Sequence, residues 1–128
     1  MTMNSAHTTA TEEITAAARD DVEGWFDGDA ERMRRALHPD LAKRSLDVDD
    51  AGQERIETLT AEQMIRWTRE GVGQQRDPGD RQIEITVHQV DDGLATATCL
   101  CALYVDHLQL AKTADGWKIV NILWAWLV

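Results

Sequence analysis

The sequence predicts an α+β fold, with about three helices in the N-terminal half and a curved antiparallel sheet wrapped over them. Three observations predict it. Apolar residues recur at helical spacing in separate segments of the first half, then mostly alternate with a period of two. Asp92-Gly93 and Asp115-Gly116 punctuate the alternating half, and Asp-Gly suits hairpin turns whose residues need φ > 0. The 128 residues are enough for one domain with a real core and too few for two. Helices followed by a run of strands make an α+β layout, and a strongly curved sheet over helices leaves a cone-shaped barrel with room for a pocket.

Residues 1–8 are polar and without period, and read as a disordered leader to a single domain over residues 9–128. Thr9 and Glu12 have capping-box spacing. Ile14, Ala18, Val22, Trp25 and Phe26 then mark an amphipathic helix ending near Asp27. Gly28 suits the left-handed position that closes a helix. Asp29 reads as the N-cap of a short second helix with Met33, Ala36 and Leu37 on its apolar side. His38-Pro39 stops that helix, because a residue before proline is pushed out of the α region.

Residues 41–48 alternate as a strand, with Leu41, Lys43, Ser45 and Asp47 on one face, and residues 54–59 return after a turn. Thr60 and Gln63 have capping-box spacing for a third helix whose buried side takes Met64, Ile65 and Trp67. Gly71 and Gly73 end it, and residues 74–80 form an exposed loop. Residues 81–90 alternate cleanly, and 94 to about 102 are rich in small and β-branched residues, as in a central strand. A tight corner is expected around Ala102-Leu103, although no Gly, Pro or Asn marks it.

The closing hairpin carries the functional argument. A loop at Asp115-Gly116 pairs Leu110 with Asn121 and Leu108 with Leu123. One face then bears Asp106, Leu108, Leu110, Ile119, Asn121 and Leu123. The other bears His107, Gln109, Val120, Ile122, Trp124 and Trp126. The first face, aliphatic with one acid and one amide, is expected to look inward.

The formal net charge of −10, from 23 acids and 13 bases, makes nucleic acid and anionic membrane poor partners. Arg32, Arg34 and Arg35 are flanked by Asp27, Asp29 and Glu31 and read as a solvated helix face. Cys99 and Cys101 read as small apolar residues in a reduced compartment. No apolar run reaches the ~20 residues of a membrane span. No basic-then-apolar signal opens the chain, so the expected location is the cytoplasm. No His, Asp or Glu cluster has metal-ligand spacing and no glycine loop cradles phosphate, so neither metal nor cofactor is expected.

The stretches FDGDAERMRRALHPD, LTAEQMIRW and YVDHLQLAKTADGWKIVNILW, in that order and spacing, resemble the nuclear transport factor 2-like superfamily (cystatin-like cone fold) and its putative lumazine-binding branch, polyketide-cyclase-like in kind. The matches run from about Trp25 to Trp124. The resemblance implies a cone-shaped α+β barrel, a homodimer, and a pocket between sheet and helices. It also implies relatives that include ketosteroid isomerase, scytalone dehydratase and polyketide cyclases beside non-catalytic binding domains. Two positions depart from the branch: Ile122 stands where Lys is usual, and His107 where Tyr or Phe is usual. The apolar Val120, Ile122 and Trp124 suit a sheet face covered by a second subunit.

Asp106 is the sharpest candidate for chemistry. An acid on an aliphatic face loses solvation, so its pKa rises toward a range where it can shuttle a proton; the alternative is an acceptor for backbone groups at the corner. Asn121 can donate to an oxyanion or ligand carbonyl, or satisfy a neighbour. His38 can serve as acid/base, or cap a helix end. Tyr104 can donate a phenolic hydrogen bond into the pocket or simply pack. Trp25 and Trp67 hold helices to the sheet, and either can wall a flat ligand. Three functions follow. The first is a small-molecule-binding domain with an apolar pocket for a small hydrophobic or aromatic ligand. The alternative is a cofactor-free isomerase, dehydratase or cyclase using Asp106 and His38 on a cyclic substrate. The third is an association module with a filled cone.

Overall fold

The computed structural model describes the backbone of residues 2–127 and the side chains of residues 9–127. Three helices, α1 (Thr2–Asp27), α2 (Ala30–Ala36) and α3 (Ala61–Arg69), cover a six-stranded sheet. Its strands are β1 (Leu37–Val48), β2 (Glu54–Thr60), β3 (Glu84–Asp91), β4 (Leu94–Leu100), β5 (Tyr104–Thr113) and β6 (Gly116–Trp126). The strand order is β2-β1-β6-β5-β4-β3. All pairings are antiparallel except β1 with β6, which run parallel. The sheet is therefore mixed, not purely antiparallel. It also stays open, with β2 and β3 as edges, so the cone is not a closed barrel.

Local signals set most boundaries. The α1 helix starts at Thr2, so Thr9 and Glu12 lie within it instead of opening it. The side chains of the expected leader, residues 1–8, fall outside the description. Gly28 takes φ of +68° and the Asp29 N–H donates to the Gly24 carbonyl at 2.9 Å, which closes α1. Asp29 caps α2 by accepting from the Arg32 N–H at 3.1 Å. Thr60 and Gln63 form the complete capping box of α3. The β1 strand begins four residues earlier than expected, because Leu37 pairs with Ile119 of β6 across His38-Pro39. The corner at Ala102-Leu103 needs no glycine. It is held by backbone bonds from Cys101 N–H to Tyr104, from Ala102 N–H to Arg81 and from Leu127 N–H to Leu103.

The core lies between helices and sheet. Ile14, Ala18, Val22 and Phe26 of α1 and Met33 of α2 face Ala95, Ala97, Leu108, Leu110 and Ile119 of the sheet, all buried. Met64, not Ile65, is the central residue of α3. In the closing hairpin the loop is Ala114-Asp115, since Thr113 pairs with Gly116. Near the turn the expected parity holds, with Leu110 opposite Ile119 and both buried. A β-bulge then intervenes: Gln109 pairs with Asn121, leaving Val120 as the extra residue. Beyond it every side chain of β6 is on the opposite face from expectation. Ile122 is 2% exposed and Leu123 56% exposed. The inward set is thus Tyr104, Asp106, Leu108, Leu110, Ile119, Ile122, Trp124 and Trp126. The face expected to carry Val120, Ile122 and Trp124 outward to a second subunit does not exist as such, because Ile122 and Trp124 turn inside.

Candidate functional site

The bulge in β6 brings Trp124 and Trp126 into the mouth of the cone. Opposite them on β5 stand Asp106 and Tyr104. Trp25 comes from the buried stripe of α1 and Trp67 from α3. These groups surround a cavity of ≈ 290 Å³, walled by Trp25, Trp67, Tyr104, Trp124 and Trp126 and completed by Leu59, Met64 and Val72. Among the described residues two charged ones line it, Lys43 of β1 and Arg76 of the short 3-10 turn Gln74–Arg76.

The rings brace one another. Tyr104 stacks on Phe26 at 6.1 Å between centroids and meets Trp124 and Trp126 edge-on at 6.2 Å each. Trp124 and Trp126 are T-shaped at 5.0 Å. Lys43 Nζ lies 5.4 Å from the Trp124 centroid and 5.9 Å from that of Tyr104. The Arg76 guanidinium lies 5.5 Å from the Trp126 centroid.

Asp106 is fully buried, and neither of its carboxylate oxygens has a hydrogen-bond partner among the described residues. It therefore does not serve as an acceptor for the corner backbone. Burial pushes its pKa up, against the opposing fields of Lys43 and His107. A second buried acid, Asp21 of α1, is raised to about 7, first by burial, with Lys43 opposing and Asp106 adding. Tyr104 and Cys99 are both raised, mainly by burial and then by the field of Asp106. The buried carboxyls of Asp21 and Asp106 thus act electrostatically on the Lys43 and Tyr104 groups that line the cavity, and on the protonated Cys99 thiol.

The sequence candidates divide cleanly. Tyr104, Trp25 and Trp67 meet in the cavity. Asp106 lies behind it and does not line it. Asn121 is on the opposite face of the sheet, where its amide donates to the Gln109 side chain at 3.0 Å. His38 is half-buried at the start of β1, with Nδ1 accepting from the Asp40 N–H at 3.0 Å. Its neighbour Leu37 pairs with Ile119 whereas Asp106 pairs with Trp124, so His38 and Asp106 belong to different parts of the sheet. Asp21, Lys43, Arg76, Trp124 and Trp126 were not picked out as site residues from sequence. Asp21 had a visible signal, since it stands three and four residues after the buried Ala18 and Ala17. Lys43 alternates with Leu41 on an inward strand face and was legible in the same way.

A larger hollow of ≈ 700 Å³ lies on the outer side of the sheet, edged by Arg44, His88, Thr98, His107, Asn121 and Leu123. Among the described residues no aromatic box and no buried acid border it, so the inner cavity is the candidate site. Among the described residues no group of His, Cys, Asp and Glu is placed to hold a metal ion.

A family model described as putative lumazine-binding matches residues 9–125. No curated protein matches the chain. Among solved structures, an NTF2-like protein of unknown function from Shewanella baltica is 13% identical with a TM-score of 0.71, covering 94% of this chain and 96% of its own. A cystatin-like fold protein from Burkholderia xenovorans is 17% identical at a TM-score of 0.62, covering 94% and 93%. A putative dehydratase from the NTF2-like family of Streptomyces avermitilis is 19% identical at 0.60, covering 94% and 98%. At these identities the likeness is one of fold.

Proposed function

The chain belongs to the putative lumazine-binding family, and from that premise we propose that it is a small-molecule-binding domain whose inner cavity takes a flat aromatic ligand. One observation carries this reading. The chain has five tryptophans and one tyrosine, and four of those indoles and the phenol line a single cavity. Ring faces at right angles offer both stacking and edge contacts to a planar guest. The volume of ≈ 290 Å³ suits one or two fused rings.

The test uses the same rings as reporters. Titration with lumazine should quench tryptophan fluorescence saturably, and Trp67→Ala should weaken binding by about tenfold or more. Absence of a saturable signal up to millimolar ligand would remove the reading. Proton-transfer catalysis on a ring substrate is the second reading, and the raised pKa of Asp21 and Asp106 favours it. Against it, Asp106 has no surface toward the cavity and His38 is elsewhere, so no acid/base pair converges on one guest atom.

A second copy of the chain is proposed to pair through the outer sheet face, in place of the face expected from sequence. Leu46 and Ile56 are cross-strand neighbours there, each 56% exposed, with Leu123 beside Arg44 in the same layer.

A further inference from the structure

We propose that the ligand of the inner cavity is a planar anion held by Lys43, and that its binding takes up a proton at the carboxyl pair Asp21 and Asp106. This rests on the reading of the cavity as the ligand site. The charge of the lining is the first ground. In a chain with 23 acids and 13 bases, the cavity presents Lys43 and Arg76 and, among the described residues, no carboxylate. Among the described residues no carboxylate lies within 4 Å of either cation's nitrogens, and both lie over ring faces instead. Neither cation is thus tied up in a direct ion pair, and both can meet an anionic substituent on a guest that stacks among the same rings.

The second ground is what stands behind Lys43. Asp21 comes from α1 and Asp106 from β5, both buried, and Asp106 lacks any hydrogen-bond donor among the described residues. The other groups around them are Cys99 of β4, Cys101 just after it, and Tyr104 of β5. His107 acts on Asp106 from the outer face, and Arg76 stands at the cavity mouth. Asp21 feels the fields of both Asp106 and Lys43, and Asp106 feels that of Lys43; two ionised carboxyls against one ammonium leave an excess negative charge in a low dielectric, and one proton taken up by the pair removes it. An anion arriving at Lys43 adds negative charge beside the pair and so raises its proton affinity. Linkage requires the converse: the protonated pair binds the anion more tightly.

The sign follows from Asp21, which titrates at about 7 in the free protein. Binding moves that titration upward, so affinity for an anion falls as pH rises from about 7 and is strongest below it. A neutral guest of the same shape shows no such slope. Cys99 and Tyr104, both shifted upward, stay protonated throughout this window.

The experiment is titration calorimetry with naphthalene-2-carboxylate and naphthalene-2-carboxamide in HEPES and in Tris, whose ionisation enthalpies differ. The carboxylate should bind about tenfold or more tighter than the amide. Its apparent enthalpy should depend on buffer with uptake of roughly half a proton or more per ligand at about pH 7.5. Asp21→Asn should retain the anion preference and lose the uptake; Lys43→Met should lose the preference. Equal affinity for the two probes would overturn the proposal and leave the cavity as a ligand site. Anion preference without proton uptake in the unmodified protein would overturn the coupling. Failure of both probes to bind would overturn the proposal and the ligand-site reading together.

Discussion

Asp21 sits on the buried stripe of α1 with Val22 and Ala18, where a helix of this kind ordinarily carries an apolar residue. Its cost is readable as a pH dependence. The folded-state pKa is raised to about 7 from an ordinary value of 3.8. Stability is therefore fully retained below the ordinary value and is lost as pH rises through about 7. Asp21→Asn should match the unmodified protein near pH 3 in urea unfolding. It should be more stable at pH 8, by at most on the order of 4 kcal/mol. A constant difference across pH would show that Asp21 is not desolvated. Gly73 makes a second residue-scale case. Its φ of −69° suits any residue, but a Cβ there would overlap the Trp25 carbonyl. Gly73→Ala should cost roughly 1–3 kcal/mol and disturb the cavity wall, measured by unfolding and by lumazine titration.

At the scale of elements, the bulge of β6 decides the site. Without it, Trp124 would share a face with His107 and Gln109, and Leu123 would point beneath the helices. The two parities are separable by charge. Ile122→Lys buries an ammonium among apolar side chains and should destabilise by several kcal/mol or prevent folding. Leu123→Lys, on a side chain 56% exposed, should leave monomer stability within about 0.5 kcal/mol. Circular dichroism melts of the two variants check this, and the reverse ranking would restore the register expected from sequence. A ladder of ion pairs holds α2 to α1 meanwhile. Asp20 accepts from Arg32 at 2.9 Å and from Arg35 at 3.1 Å, and Arg32 also reaches Glu23 at 2.7 Å. Two of the three arginines read as a solvated face, Arg32 and Arg35, thus clamp the helices, while Arg34 reaches only Glu31 of its own helix.

For the whole molecule, the formal charge of −10 opposes the proposed pairing, because two copies bring that charge together. Salt shortens the range of this repulsion to about 10 Å at 0.1 M and leaves apolar contact intact. Sedimentation should show the dimer fraction rising with salt and vanishing in an Ile56→Lys, Leu123→Lys double variant. A monomer at micromolar concentration in 0.3 M salt would remove the pairing. No helix among the described residues is long and apolar enough to cross a membrane.

The sequence by itself determined what local chemistry determines. The caps at Asp29 and Thr60, the left-handed Gly28, the central character of β4 and the burial of Asp106, Leu108 and Leu110 all follow from backbone rules and period. It also carried the family resemblance and three of the five cavity rings, Tyr104, Trp25 and Trp67. Only the tertiary structure decided the rest. One extra residue at Val120 costs the hairpin a single ladder step, a small energy that no composition signals, yet it reverses every side chain after it. That reversal sent Asn121 outside and Trp124 and Trp126 inside. The meeting of Asp21, Lys43 and Asp106 joins α1, β1 and β5 across more than 80 positions of chain, from residue 21 to residue 106. Such a meeting is set by how the sheet folds over the helix, because desolvation and charge coupling act through space and not along the sequence.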